Sequence, residues 1–122
     1  MQTSIMVIEI NSTIRNFLTD YLRENVPDVV VFPTESEEMA LSMLQIFSPD
    51  IITICYVTDP INRRGNGLTL AQKIRHQFNY RKKIIMISGT GDFVRGDPGA
   101  ECIDFFVGKP IDIKKLNEAL ET

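Results

Sequence analysis

The sequence predicts one α/β domain built on a doubly wound, five-stranded parallel sheet. Three observations predict it. Five short apolar runs, rich in β-branched residues, alternate with stretches whose apolar residues recur every three or four positions. The runs are apolar throughout rather than alternating, as strands covered on both faces are. A chain of 122 residues can bury one core but not two.

Residues 5–8 form the first run, and Ser12 then offers an N-cap for a helix lined by Ile14, Phe17, Leu18, Tyr21 and Leu22. Residues 29–32 are the second strand, closed by Pro33. Thr34 and Glu37 have the spacing of a capping box, opening a helix buried through Met39, Ala40, Met43, Leu44 and Phe47. Ser48, Pro49 and Asp50 end that helix, and residues 51–56 are the third strand. Residues 57–67, rich in Asp, Pro, Asn, Arg and Gly, read as a loop. Leu70, Ala71, Ile74 and Phe78 line a third helix. Residues 84–87 are the fourth strand and 105–107 the fifth. Asp112 caps a last helix packed through Ile113, Leu116, Ala119 and Leu120. Between Ser88 and Glu101 stand Gly89, Gly91, Gly96, Pro98 and Gly99, which is poor helix material. The fourth helix of the alternating plan is therefore expected to be short, irregular or absent. Right-handed crossovers make the sheet flavodoxin-like, in the order 2-1-3-4-5.

Composition narrows the function. No apolar run approaches the roughly 20 residues of a membrane span, and the first residues carry no basic leader. A cytoplasmic, unprocessed domain spanning residues 1–122 is expected. Cys55 and Cys102 do not make a disulfide framework, and Cys102 should lie at the opposite end of the sheet from Cys55. With one histidine, His76, and no cysteine pair at ligand spacing, no zinc site is expected. The net charge of −3 is unevenly spread. Residues 1–59 hold two bases and nine acids, and residues 92–122 four bases and seven acids. Between them seven bases and no acid stand together: Arg63, Arg64, Lys73, Arg75, Arg81, Lys82 and Lys83. Such a block is a candidate docking surface for an acidic partner, or simply a solvated helix face with strand-edge lysines. Nucleic acid is not favoured, given a pI near 5.1 and no recognisable binding motif.

In an open parallel sheet, ligands sit beyond the carboxyl ends of the strands, near the switch in strand order. Here those ends are Glu9 and Ile10, Cys55, Ser88, and Lys109 with Pro110. At this point the chain resembles response-regulator receiver domains. Pro49-Asp50-Ile51-Ile52 is similar to the family's approach to strand three, and Gly67-Leu68 followed by Ile74-Arg75 to its third helix. Ile87-Ser88-Gly89 is similar to its fourth strand with the hydroxyl residue, Phe106 stands at its switch aromatic, and Lys109-Pro110-Ile111-Asp112 resembles its lysine turn. The match covers essentially the whole chain.

The departures decide what the resemblance implies. In the family the aspartate ending strand three accepts a phosphoryl group, and together with the second acid after strand one it holds Mg²⁺. Here those positions are Cys55 and Ile10. Mg²⁺ requires hard oxygen ligands, so neither residue serves, and aspartyl phosphorylation at this site is excluded. No metal and no cofactor is expected. Of the family's set, Glu9, Ser88 and Lys109 remain, with Lys109 expected to pair with Glu9 across the pocket. Cys55 is either an inert core thiol or a redox or ligand sensor. A cysteine-phosphatase loop does not fit, because the Gly-rich cradle is missing and Arg63 follows eight residues later. Asp59 and Asp92 are alternative acceptors lacking a second carboxylate nearby in sequence. The expected function is that of a non-phosphorylatable, non-enzymatic receiver-like module that binds a protein in two-component signalling: a histidine kinase, an output domain or a second copy. In the family, Ser88 and Phe106 correspond to residues that move together when the output surface switches.

Overall fold

A computed structural model describes residues 2–58, 66–89 and 96–122. The elements run β1 (Thr3–Ile8), α1 (Ser12–Asn25), β2 (Val29–Thr34), α2 (Glu37–Leu44), β3 (Ile51–Cys55), α3 (Gly67–Gln77), β4 (Lys83–Ser88), a 3-10 turn (Ala100–Cys102), β5 (Phe105–Gly108) and α4 (Ile113–Glu121). All strand pairs are parallel, in the order β2-β1-β3-β4-β5. The doubly wound sheet read from the sequence is present. Before β5, only the three-residue turn stands among the described residues in place of a fourth crossover helix.

Alternation along the strands divides the core in two. Met6, Ile8, Ile52, Ile54, Ile84 and Met86 face α2, α3 and the 3-10 turn, where Ala40, Leu44, Leu70 and Ile74 meet them. Ile5, Val7, Ile85, Ile87 and Val107 face α1 and α4, against Leu18, Leu22, Leu116 and Ala119. Thr53 lies between Val7 and Ile85, and its hydroxyl is the one buried side-chain polar atom left without a hydrogen bond among the described residues. An unmatched buried hydroxyl forfeits its hydration with no return. Thr53→Val, which keeps the shape, is expected to raise stability by about 1 kcal/mol, read as a higher urea midpoint at unchanged slope.

Several local expectations shift. Asn11, not Ser12, caps α1, its side chain accepting from the Ile14 amide at 2.9 Å. Ser36, not Thr34, caps α2. Thr34 instead ends β2 and donates its hydroxyl to the Val7 carbonyl at 3.0 Å. Pro33 sits inside β2 rather than closing it, which an edge strand tolerates because one side of its backbone pairs with nothing. Met39 is largely exposed, so the buried stripe of α2 is Ala40 and Leu44 with Leu41, Met43 and Phe47 at its margin.

The basic block disperses. The Arg75 guanidinium donates to the carbonyls of Cys102, Tyr80 and Lys82 and pairs with Asp104 at 3.0 Å. It staples α3 to the 3-10 turn and to the start of β4. Lys83 donates to the Ala119 and Leu120 carbonyls, neutralising the negative end of α4. Lys73 pairs with Glu37 and Lys82 with Asp50. Arg81 is exposed, while Arg63 and Arg64 lie outside the described residues. Arg75 and Lys83 thus spend their donors inside the fold.

Candidate functional site

The carboxyl ends of β1, β3, β4 and β5 converge on a cleft of about 250 Å³. Glu9, Ile10, Cys55, Ser88 and Lys109, singled out from the sequence, all line it, together with Asn11, Ile14, Tyr56, Val57 and Gly89.

Glu9 follows β1 directly and is only 2% exposed. Each of its carboxylate oxygens accepts a hydrogen bond. Oε1 accepts from the Lys109 ammonium at 2.8 Å and Oε2 from the Asn11 amide at 3.1 Å. The expected Glu9–Lys109 ion pair is therefore present, and the lysine side chain retains 23% exposure at the mouth of the cleft. Arg15, one turn into α1, donates to the Glu9 carbonyl at 2.8 Å and fixes the backbone of the β1–α1 turn. Ser88 ends β4 buried, and its carbonyl accepts the Lys109 amide at 3.0 Å, which ties the last two strands together at the cleft. Phe106 stands apart from the cleft, half-buried beside the α3 face of the sheet.

Cys55 ends β3, buried, with its thiol donating to the Val57 carbonyl at 2.9 Å. Burial first, and the Glu9 carboxylate second, push the thiol up to about 11; the Ile10 amide and the Lys109 ammonium oppose them and lose. Thiolate is the reactive form, so the folded thiol should resist iodoacetamide at neutral pH and alkylate once urea unfolds the chain. The same shift sets a pH dependence. The unfolded thiol ionises near 9.0 and the folded one near 11, so unfolding releases a proton between those values. Its contribution is intact below pH 9 and is lost as pH rises through about 11, a cumulative change of about 2–3 kcal/mol. Cys55→Ala should flatten that segment of the stability–pH curve. Burial raises the Tyr80 phenol as well, whose hydroxyl donates to the Pro49 carbonyl, so some alkaline loss will persist in the variant.

Two positioning groups escaped the sequence reading. The backbone amide of Asn11 left no signal. Gly67 did: it follows Asn66, whose side chain caps α3 by accepting from the Leu68 and Thr69 amides. Gly67 packs the start of α3 directly on the end of β3, and a Cβ there would meet the Cys55 carbonyl oxygen at 2.2 Å.

The chain matches a CheY-like response-regulator receiver domain from Methylobacillus flagellatus with a TM-score of 0.83, covering 99% of this chain and 98% of that one at 20% identity. The fold is that of response-regulator receivers. Response regulator TrrA of Thermotoga maritima, solved in complex with Mg²⁺ and BeF, matches at TM-score 0.83 and 23% identity over 98% of this chain and 97% of that one. The receiver domain of a sensor histidine kinase from Pseudomonas aeruginosa, with magnesium coordinated in its active-site cleft, matches at TM-score 0.76 and 18% identity over 99% and 96%. No protein-family model matches the sequence, and no curated protein matches it.

The receiver fold implies Mg²⁺ at this cleft, and the residues here do not fit it. Glu9 is the one carboxylate lining the cleft among the described residues and is paired with Lys109, Ile10 has no donor atom, and the thiol of Cys55 is a poor ligand for a hard cation. A hard cation needs several oxygens in near-octahedral array. Among the described residues, no group of three His, Cys, Asp or Glu side chains is placed to hold a metal. Asp59 and Asp92 lie outside the described residues.

Proposed function

We propose that this chain is a receiver-like domain of two-component signalling that takes no aspartyl phosphate and works by binding protein partners, without catalysis of its own. The observation that carries the reading is the Glu9–Lys109 pair at 2.8 Å beside the protonated thiol of Cys55. Acid and lysine satisfy one another, and the carboxylate that would accept a phosphoryl group is a cysteine. A pocket closed in this way has no use for a phosphoryl trigger. The domain then holds one conformation or answers to a partner that favours one. The kinds of partner the reading admits are a histidine kinase, an output domain or a second copy.

The alternative, a sensor built on Cys55, gains nothing from a thiol buried and raised to about 11, since such a group is a poor nucleophile at neutral pH. No helix among the described residues is long and apolar enough to cross a membrane, and a cytoplasmic location belongs to the same proposal.

Beryllofluoride with Mg²⁺ mimics an aspartyl phosphate, and an amide-resolved NMR titration with both tests the reading. No shift is expected at Glu9, Cys55, Ser88 or Lys109. Saturable shifts at those amides would return the chain to phosphoryl signalling.

A further inference from the structure

Among the described residues, three large apolar side chains stand out into solvent: Phe17, Met39 and Ile46. Phe17 stacks on the Tyr21 ring of its own helix. Met39, 42% exposed, and Ile46, 84% exposed, share one face of α2 with the half-buried Met43 between them. The spacing 39, 43, 46 is that of a single helical stripe. Gln45 keeps helical dihedrals, and the Met43 carbonyl accepts the amides of Ile46 and Phe47 at 2.9 and 3.2 Å, so the helical path carries on to Ile46. Ala40 and Leu44 point into the core, about 100° round the helix from the stripe. Leu41 lines the flank towards Lys73 of α3, whereas Met39 lines the flank towards Pro33 and α1. The stripe therefore overlooks the free edge of β2. We propose that it binds the same stripe of a second copy of this chain, the two α2 helices running antiparallel across a two-fold axis.

Spacing and charge both select that occupant. Met39 and Ile46 lie on either side of a midpoint between Ser42 and Met43. A two-fold axis through that midpoint seats Met39 of each copy against Ile46 of the other, and Met43 against itself. The stripe carries no charge, and the exposed acids Glu35 and Glu38 stand at one end of it. Antiparallel pairing sets those acids beside the neutral Gln45 and Ser48 of the other copy and opposes the two helix dipoles, whereas parallel pairing would set acid on acid. Strand addition at the same edge is interrupted. The carbonyls of Asp28 and Thr34 turn inward to the Thr3 and Glu9 amides, so the alternate positions face outward, and Pro33 among them has no N–H to offer. The contact is left to side chains. Behind the stripe the Phe32 and Phe47 rings pack with centroids 4.6 Å apart and back it firmly, while the methionines can adapt to the facing surface. One helical stripe is small beside the interface of a permanent dimer, so the Kd should be on the order of 100 µM. The inference rests on the reading of the chain as an interaction module and names the surface through which it meets its own copy.

Sedimentation velocity of the full chain from about 10 µM to about 1 mM should show the mean mass rising from one chain towards two. Ile46→Lys should weaken association at least about a hundredfold, since two-fold symmetry puts the substitution at both ends of the contact. Its thermal midpoint in dilute solution should not change, because Ile46 stands almost wholly in solvent. Ser42→Cys tests the geometry: a cysteine beside the axis should cross-link two copies when diamide is added, while Glu24→Cys on α1 should not. The native Cys55 and Cys102 are buried and do not compete. A chain that stays monomeric at about 1 mM would overturn the proposal. Association that Ile46→Lys leaves intact, or equal cross-linking of the two cysteine variants, would overturn it too. A monomer leaves the beryllofluoride titration untouched, and saturable beryllofluoride shifts in a chain that still pairs through α2 would sink only the proposed function, so the two failures are separately readable.

Discussion

Gly67→Ala is expected to destabilise the domain by at least about 3 kcal/mol, lowering the thermal midpoint by roughly 10 °C or more. Helix propensity alone argues the opposite sign, since alanine is better than glycine in a helix by up to about 1 kcal/mol. The added Cβ would stand 2.2 Å from the Cys55 carbonyl oxygen and 2.6 Å from the Met86 methyl. The methyl can swing aside. The carbonyl belongs to β3, the central strand of the sheet, which pairs with β1 and β4 in register through Cys55 opposite Ile87. Relief must therefore come from α3 backing away, and α3 buries Leu68, Leu70, Ala71 and Ile74. Retreat also lengthens the hydrogen bond from the Gly67 amide to the Tyr56 carbonyl, which fixes the turn beside the cleft. Gly89→Ala is the control: among the described residues its Cβ would find nothing closer than the Lys109 Cβ at 3.9 Å, so its stability should barely change. A stabilised Gly67→Ala variant would mean that the contact between α3 and β3 is looser than described.

That contact shows where sequence reading reaches and where it stops. The parallel, doubly covered sheet is legible in runs such as residues 51–54 and 84–87, because burial on both faces demands largely apolar strands, and the order 2-1-3-4-5 then follows from right-handed crossovers. Caps were displaced by one or two positions because Asn11 and Ser12, or Thr34 and Ser36, are chemically interchangeable as candidates; which one caps is decided by where β2 ends, a tertiary matter. The cleft was legible because its residues sit at strand termini, which topology brings together. The inward roles of Arg75 and Lys83 are not legible, since a sequence displays charge but not the carbonyls that will receive it. Asp50 is similar. In sequence it marks only the end of a helix, yet its carboxylate receives the Ser4 amide and hydroxyl, which, with Lys82, hold it below the usual carboxylate range. Partners 46 residues apart leave no local pattern.

Lys109→Met should cost about 3 kcal/mol, and more than Glu9→Gln does. The asymmetry follows from exposure. Removing the ammonium leaves a carboxylate that is 2% exposed, with the Asn11 amide as its remaining donor and a protonated thiol as its neighbour. Removing the carboxylate's charge leaves a lysine already 23% exposed, whose stem can carry the ammonium out to water. Glu9→Gln should therefore cost about 1–2 kcal/mol. Replacing both partners, as in Glu9→Met/Lys109→Met, strands no charge and should recover most of what Lys109→Met loses, giving a large coupling in a double-mutant cycle. Urea unfolding of the four proteins measures it. The cycle also separates two explanations for a lysine at this position. A lysine poised to bind phosphoryl oxygens would stand apart from Glu9, and its removal would leave stability nearly unchanged. A lysine that closes the cleft makes the domain depend on it. Strong coupling supports a pocket whose residual acid and base now serve the fold, whereas additive, near-zero effects would leave the closed cleft without its energetic basis.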